Sequence, residues 1–146
     1  MWTEIYNKGD AEHLMRITSS FHDSCIKEVK YISGAYVDKN LCMFPVNDKR
    51  KLIVIFQCQN ENNPVLELEF SGLRQLMLFP VDEQYTCEIL ESTLLVEDGI
   101  IYWVDGGIKS VEDLKYYTGT VICSTKLRWR ILQGFLGEEE FFHASF

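Results

Sequence analysis

Through most of this chain apolar and polar residues alternate in the two-residue repeat of a strand with one covered face. Leu66, Leu68 and Phe70 fall on one side of such a run, with Glu67 and Glu69 on the other. Val121, Cys123, Thr125, Leu127 and Trp129 alternate with Lys126, Arg128 and Arg130 in the same way. Between residues 51 and 59 the pattern fills in: Leu52, Val54, Phe56 and Cys58 face one way and Ile53 and Ile55 the other. A run apolar on both faces predicts a central strand. The repeat differs only at the start. Trp2, Ile5 and Tyr6 share the side of a helix, Gly9 interrupts, and Asp10 is placed to cap a second piece containing Leu14 and Ile17.

The remaining text reads as short strands separated by turn residues. A strand over residues 25–33 has impure alternation, which predicts one partly covered face. Gly34 and Asp38-Lys39-Asn40 mark a turn, residues 41–46 a short strand, and Asn47-Asp48-Lys49 a connection. Asn60 to Pro64 is a loop. The strand from Val65 continues past Ser71-Gly72 to Phe79. Pro80 to Gln84 turns the chain, residues 85–96 read as a long strand, and Glu97-Asp98-Gly99 joins it to residues 100–104 in a hairpin. Ser110 with Asp113 resembles a helix start, predicting a short helix over 111–117. Strands dominate and no strand–helix–strand alternation occurs. The expected fold is mainly β (or α+β): an antiparallel β-sandwich or strongly curved sheet with a short helical N-terminus. It is read as a single domain over 1–146, with residues 1–20 helical and 138–146 a tail or docking segment.

The net charge of −8 changes this picture because it is unevenly placed. Residues 60–113 carry 12 acidic and 2 basic groups, Arg74 and Lys109, while the flanking segments each stand at +1. Such a chain lacks the basic surface that nucleic acid requires. It suits a basic protein partner, against the plainer role of a solvated face. No apolar run reaches the roughly 18 residues of a membrane span, and Met1-Trp2-Thr3-Glu4 does not begin a signal peptide. The expectation is a cytoplasmic protein without membrane attachment. Its five cysteines are widely spaced with no C-x-x-C, which predicts reduced thiols rather than disulfides or zinc.

Candidate chemistry is sparse. His22 and Asp23 are the one adjacent pair that resembles a catalytic dyad. In a strand they would point to opposite faces, so a relay between them requires a turn. The alternative is that Asp23 or Ser24 binds backbone at the start of the strand. Glu67 and Glu69 project from one strand face. With Glu88, if the strands pair, they would form a carboxylate row able to meet Lys or Arg on a partner. Trp103, with Tyr102, Tyr116 and Tyr117 near Gly106-Gly107, could line a cleft or pack in the core. Arg128 and Arg130 are placed to pair with the acidic middle of the same chain. No nucleophile, phosphate-loop or metal motif occurs, and no cofactor is expected.

Phe21-His22-Asp23-Ser24 before a strand, followed by Leu66 to Leu73 with Leu76 and Leu78, resembles a diffuse group of small bacterial proteins. That group shares an F-H-D-[AS] start and a later L-x-L-x-F-x-G-[VL]-x-x-L-x-L segment. Some members are labelled predicted immunity proteins of polymorphic toxin systems. The resemblance implies no catalytic residues. The resulting expectation is a non-enzymatic binding protein, of the immunity type, that neutralises a basic toxin. The alternatives are a small-molecule-binding domain or small enzyme using His22 and a nearby aromatic pocket, and a structural subunit that self-associates through its Phe-rich end.

Overall fold

The two longest alternating runs become the two longest strands of one sheet. The computed structural model of the protein describes residues 1–140 and 142. In it, β6 (Val65–Met77) pairs antiparallel with β9 (Val121–Ile131) along almost its whole length. On the far side of β6 lie β5 (Lys51–Cys58) and then β2 (Ser24–Ile32). On the far side of β9 lie β8 (Ile100–Val104) and then β7 (Thr93–Glu97). The same edge of β9 also holds β1 (Thr3–Ile5), so β8 takes Val121–Ser124 and β1 takes Leu127–Trp129. Strands β3 (Tyr36–Val37) and β4 (Met43–Phe44) form a separate hairpin.

This is the expected mainly-β antiparallel fold, in its curved-sheet form. The edges β2 and β7 are drawn together at one end. Ile89, just before β7, bridges Ser24 at the start of β2, and Ser92 N–H donates to Ser20 O at 2.9 Å. The sheet curls without closing, and its concave face is filled by Phe21, Phe56, Phe70, Leu52, Leu66, Leu68, Trp103, Ile122 and Leu127, all at most 3% exposed. No second sheet covers this face. The helix α1 (Lys8–Ile17) does so through Ala11 and Leu14, joined by the chain around Ile89.

Several expected elements differ. The N-terminus is not two helical pieces. Thr3 to Ile5 is extended because β9 offers a free edge, and pairing there outweighs a helical spacing only a few residues long. The helix cap is Asn7, whose Oδ1 accepts Asp10 N–H at 2.9 Å, rather than Asp10 itself. Gly9 sits inside the first turn. The long strand expected over 85–96 begins only at Thr93; residues 78–92 cross the open end of the sheet as irregular chain. The short helix is present as a 3-10 helix over Val111–Tyr116, with the Asp113 carboxylate accepting Ser110 N–H at 3.2 Å.

The convex face is covered in part by the chain after β9. Leu132 and Phe135 bury Ile55 and Val65, and the Phe142 ring lies 5.4 Å from that of Phe135. Residues 141 and 143–146 lie outside the described residues, so the expected tail is described only as far as Glu138–Glu140, all exposed, and Phe142. Among the described residues no helix is long and apolar enough to cross a membrane.

Candidate functional site

The stretch between α1 and β2 is a left-handed turn. Ser19, Ser20, Phe21 and Asp23 have φ of 51°, 57°, 58° and 60°, a conformation that costs each non-glycine residue about 1–2 kcal/mol. It is held from several sides. Thr18 Oγ1 donates to Leu14 O at 2.9 Å, Ser20 N–H to Met15 O at 2.8 Å, and Ser24 Oγ to Phe21 O. Phe21 is fully buried against Phe56, ring centres 4.8 Å apart, so burial of one aromatic anchors the strained backbone. The turn removes the strand geometry that would separate His22 from Asp23. His22 Nδ1 lies 2.9 Å from Asp23 Oδ2, with the side chains 54% and 42% exposed. Ser24 takes the backbone-binding role expected at the start of the strand.

The pair faces a shallow polar depression of about 350 Å³ shared with Thr18, Ser19, Gln59 and Asn60. The expected aromatic companions are elsewhere. Trp103 is 0% exposed, with its ring centre 5.9 Å from Phe21 and 5.4 Å from Phe56. Tyr116 is exposed on the 3-10 helix, and Tyr117 donates its hydroxyl to Asp105. Trp103 is therefore a core residue, because β8 turns it into the concave face, and it lines no cleft.

Glu67 and Glu69 are also corrected. They lie on the convex face as alternation requires, but at 6% and 7% exposure they are not a solvent-facing row. Register places Glu67 opposite Arg130 and Glu69 opposite Arg128. Arg130 Nε donates to Glu67 Oε2 at 2.8 Å, and Arg128 Nη2 lies 3.1 Å from both oxygens of Glu69. Lys51 Nζ approaches Glu69 at 3.7 Å. Trp2, delivered by β1, lies over both guanidinium groups at 4.3 Å from each. The cations are satisfied within the chain, as the Arg128 and Arg130 spacing suggested. Glu88 does not join them: it lies exposed on the irregular chain before Ile89.

A groove of about 660 Å³ lies on the other side of Asp23. Cys25, Cys58 and Cys87 line it with Tyr85, Glu88 and Leu136. Sequence spacing gave no sign of this gathering, since the three cysteines come from β2, β5 and the irregular crossing. Burial pushes the Cys58 thiol up to about 11, with a further rise from Cys25 and a smaller opposing effect of the Ser24 hydrogen bond. Burial also raises Cys25 and Cys123. Among the described residues no group of His, Cys, Asp or Glu is arranged to hold a metal ion.

These shifts fix the sign of an alkaline response. A thiol whose folded value is raised favours the neutral form. Its contribution to stability is complete below the unfolded value of 9.0 and is lost as pH rises toward about 11. Tyr117, raised by burial and by Asp105, acts in the same direction at higher pH. The urea midpoint is expected to hold level from neutral pH to about 9 and then fall. A midpoint that rises through this window would contradict the buried neutral thiol.

Comparison with protein-family models, curated proteins and solved structures gives no match to this chain.

Proposed function

We propose that the chain is a protein-binding module that engages a basic partner through its acidic middle segment, in the manner of an immunity protein that neutralises a toxin. One observation carries this reading. From residue 75 to residue 108 there is no Lys, Arg or His, and Asp82, Glu83, Glu88, Glu91, Glu97 and Asp98 are all exposed. Glu67 and Glu69 are already neutralised by Arg130 and Arg128, so the available negative charge of the middle segment is that of Glu61 and of residues 78–113. Leu78, Phe79, Val81, Tyr85 and Leu90 are exposed among these carboxylates, at 39–73%. Exposed apolar side chains interleaved along the chain with acidic ones suit a partner surface of the opposite sign.

The test begins with retention of a basic protein from lysate at low salt, then uses the purified pair. Reversing Asp82, Glu83 and Glu88 to Lys should lower the association rate by roughly tenfold at low ionic strength and far less at high salt. An unchanged rate at low salt would remove this surface from the interface. A second reading, a small-molecule site, draws support from the size of the Cys25–Cys58–Cys87 groove, which lies within the range of ligand pockets. It predicts that a library compound raises the melting temperature and protects Cys87 from alkylation, with no basic protein retained.

A further inference from the structure

The hairpin of β3 and β4 projects beyond the β2–β5 pair as an arm over residues 33–50 and carries apolar side chains into solvent. Tyr36, Val37, Leu41, Met43, Phe44 and Val46 are exposed by 44–85%. Tyr36 and Phe44 stack on each other at 4.8 Å with an interplanar angle of 12°, and the hairpin pairs with no strand of the main sheet. Water-facing residues do not need this composition.

The tip is also tied down by its own hydrogen bonds. Asp38 Oδ1 accepts Asn40 N–H at 2.8 Å and Cys42 N–H at 3.0 Å, while Leu41 N–H donates to Asp38 O at 3.0 Å. This holds Leu41 at φ 64°, a left-handed position where Asn or Gly would sit without cost. The chain instead places a leucine there, 85% exposed. A preformed apolar knob loses little freedom when it docks.

The groove beside β2 is the receptor whose chemistry fits. Its walls include Leu136, Tyr85 and the cysteines, and Asp23 and Glu88 stand in its lining. The knob has Lys39 beside it; at the base of the arm Asp48 offsets Lys49, and Arg50 is directed to Leu73 O, so Lys39 is the cation free to meet the groove. The Asp38 carboxylate is turned inward to its own backbone. A second arm offers Lys39 no unengaged carboxylate at its tip, whereas the groove offers those of its lining.

We infer that the arm of one copy docks, Leu41 and Met43 first, into the Cys25–Cys58–Cys87 groove of a second copy of this chain. This does not rest on the basic-partner reading, and its test uses the purified chain alone. Tyr85 and Glu88 belong to both surfaces, so a basic partner would compete with the arm.

Two native thiols report the contact. Cys42 at the tip and Cys87 in the groove are exposed, while Cys25, Cys58 and Cys123 are partly or fully buried. Sedimentation velocity across the micromolar range should show concentration-dependent association. A short bismaleimide should give a covalent dimer whose peptides join Cys42 to Cys87, absent in Cys42→Ser and in Cys87→Ser. Leu41→Asp with Met43→Asp changes only exposed positions, and circular dichroism checks that the fold is retained. That variant should weaken association by about 100-fold. A monomer at every concentration, a dimer joined only through Cys42 to Cys42, or undiminished association of the Leu41/Met43 variant would each overturn the inference.

Discussion

Replacing Trp103 with alanine is expected to remove about 3–5 kcal/mol of stability, the largest loss from any single truncation in this chain. Trp103 is the largest fully buried side chain, and its ring meets Phe21 and Phe56 at the centre of the concave face. Those partners come from the strained turn and from β5. The cavity therefore opens where the curled sheet is closed by the chain between α1 and β2. A domain of this size holds only about 5–15 kcal/mol in total, so the variant should lie near the edge of folding. The indole Nε1 of Trp103 has no acceptor among the described residues. Trp103→Phe removes that unpaired donor along with part of the ring volume, and the two effects oppose each other. Its loss should be nearer 1 kcal/mol. Urea titration measures both. Equal losses in the two variants would show that ring volume does not set the stability here.

Alternation revealed which residues share a face along β6 but not along β9, where the repeat slips between Ser124 and Leu127: Ile122 joins Leu127 and Trp129 in the main core, while Val121 and Cys123 pack with Val104 on the other side. It did not reveal whether a face is covered. It placed Leu66, Leu68 and Phe70 together correctly, and it carried β6 through Gly72, where φ is +61° and an added Cβ would strike Thr125. The same alternation made Glu67 and Glu69 look solvated. Their cover comes from Arg128 and Arg130, some sixty residues further on, and from Trp2 at the other terminus. The left-handed turn had no glycine to announce it, so the closeness of His22 and Asp23 depended on a conformation that Ser19, Ser20 and Phe21 seldom adopt. Of the arm, only the strand within residues 41–46 was legible; β3 at Tyr36–Val37 was not. Nor was its exposure, since the apolar side chains of Tyr36, Met43 and Phe44 give no sign in sequence that they face solvent. The groove was hidden for a related reason: its lining comes from four separate parts of the chain.

Truncating Glu69 to alanine is expected to cost about 2–3 kcal/mol, although its partners are long cations that water reaches. Loss of one member of a buried pair costs about 3–5 kcal/mol because the other charge is left without a counterion. The Arg128 side chain is 36% exposed and the Lys51 side chain 32%, so solvent recovers part of that. What remains is repulsion between Arg128 and Lys51, both held over one buried position, and the loss of a carboxylate that accepts from Arg128 through both oxygens. The double variant Glu69→Ala, Arg128→Ala should lose less than the two single variants added together, with a coupling of about 1–2 kcal/mol. The effect should persist at high salt, since the Glu69 side chain is only 9% exposed and screening acts weakly on it. Additive losses would mean that the two side chains act independently and that register alone brought them together. The same reasoning separates fold from binding. Charge reversal at Glu67 or Glu69 unsettles the sheet before it alters any partner, whereas reversal at Asp82, Glu83 or Glu88 leaves the melting temperature almost unchanged and tests the surface by itself.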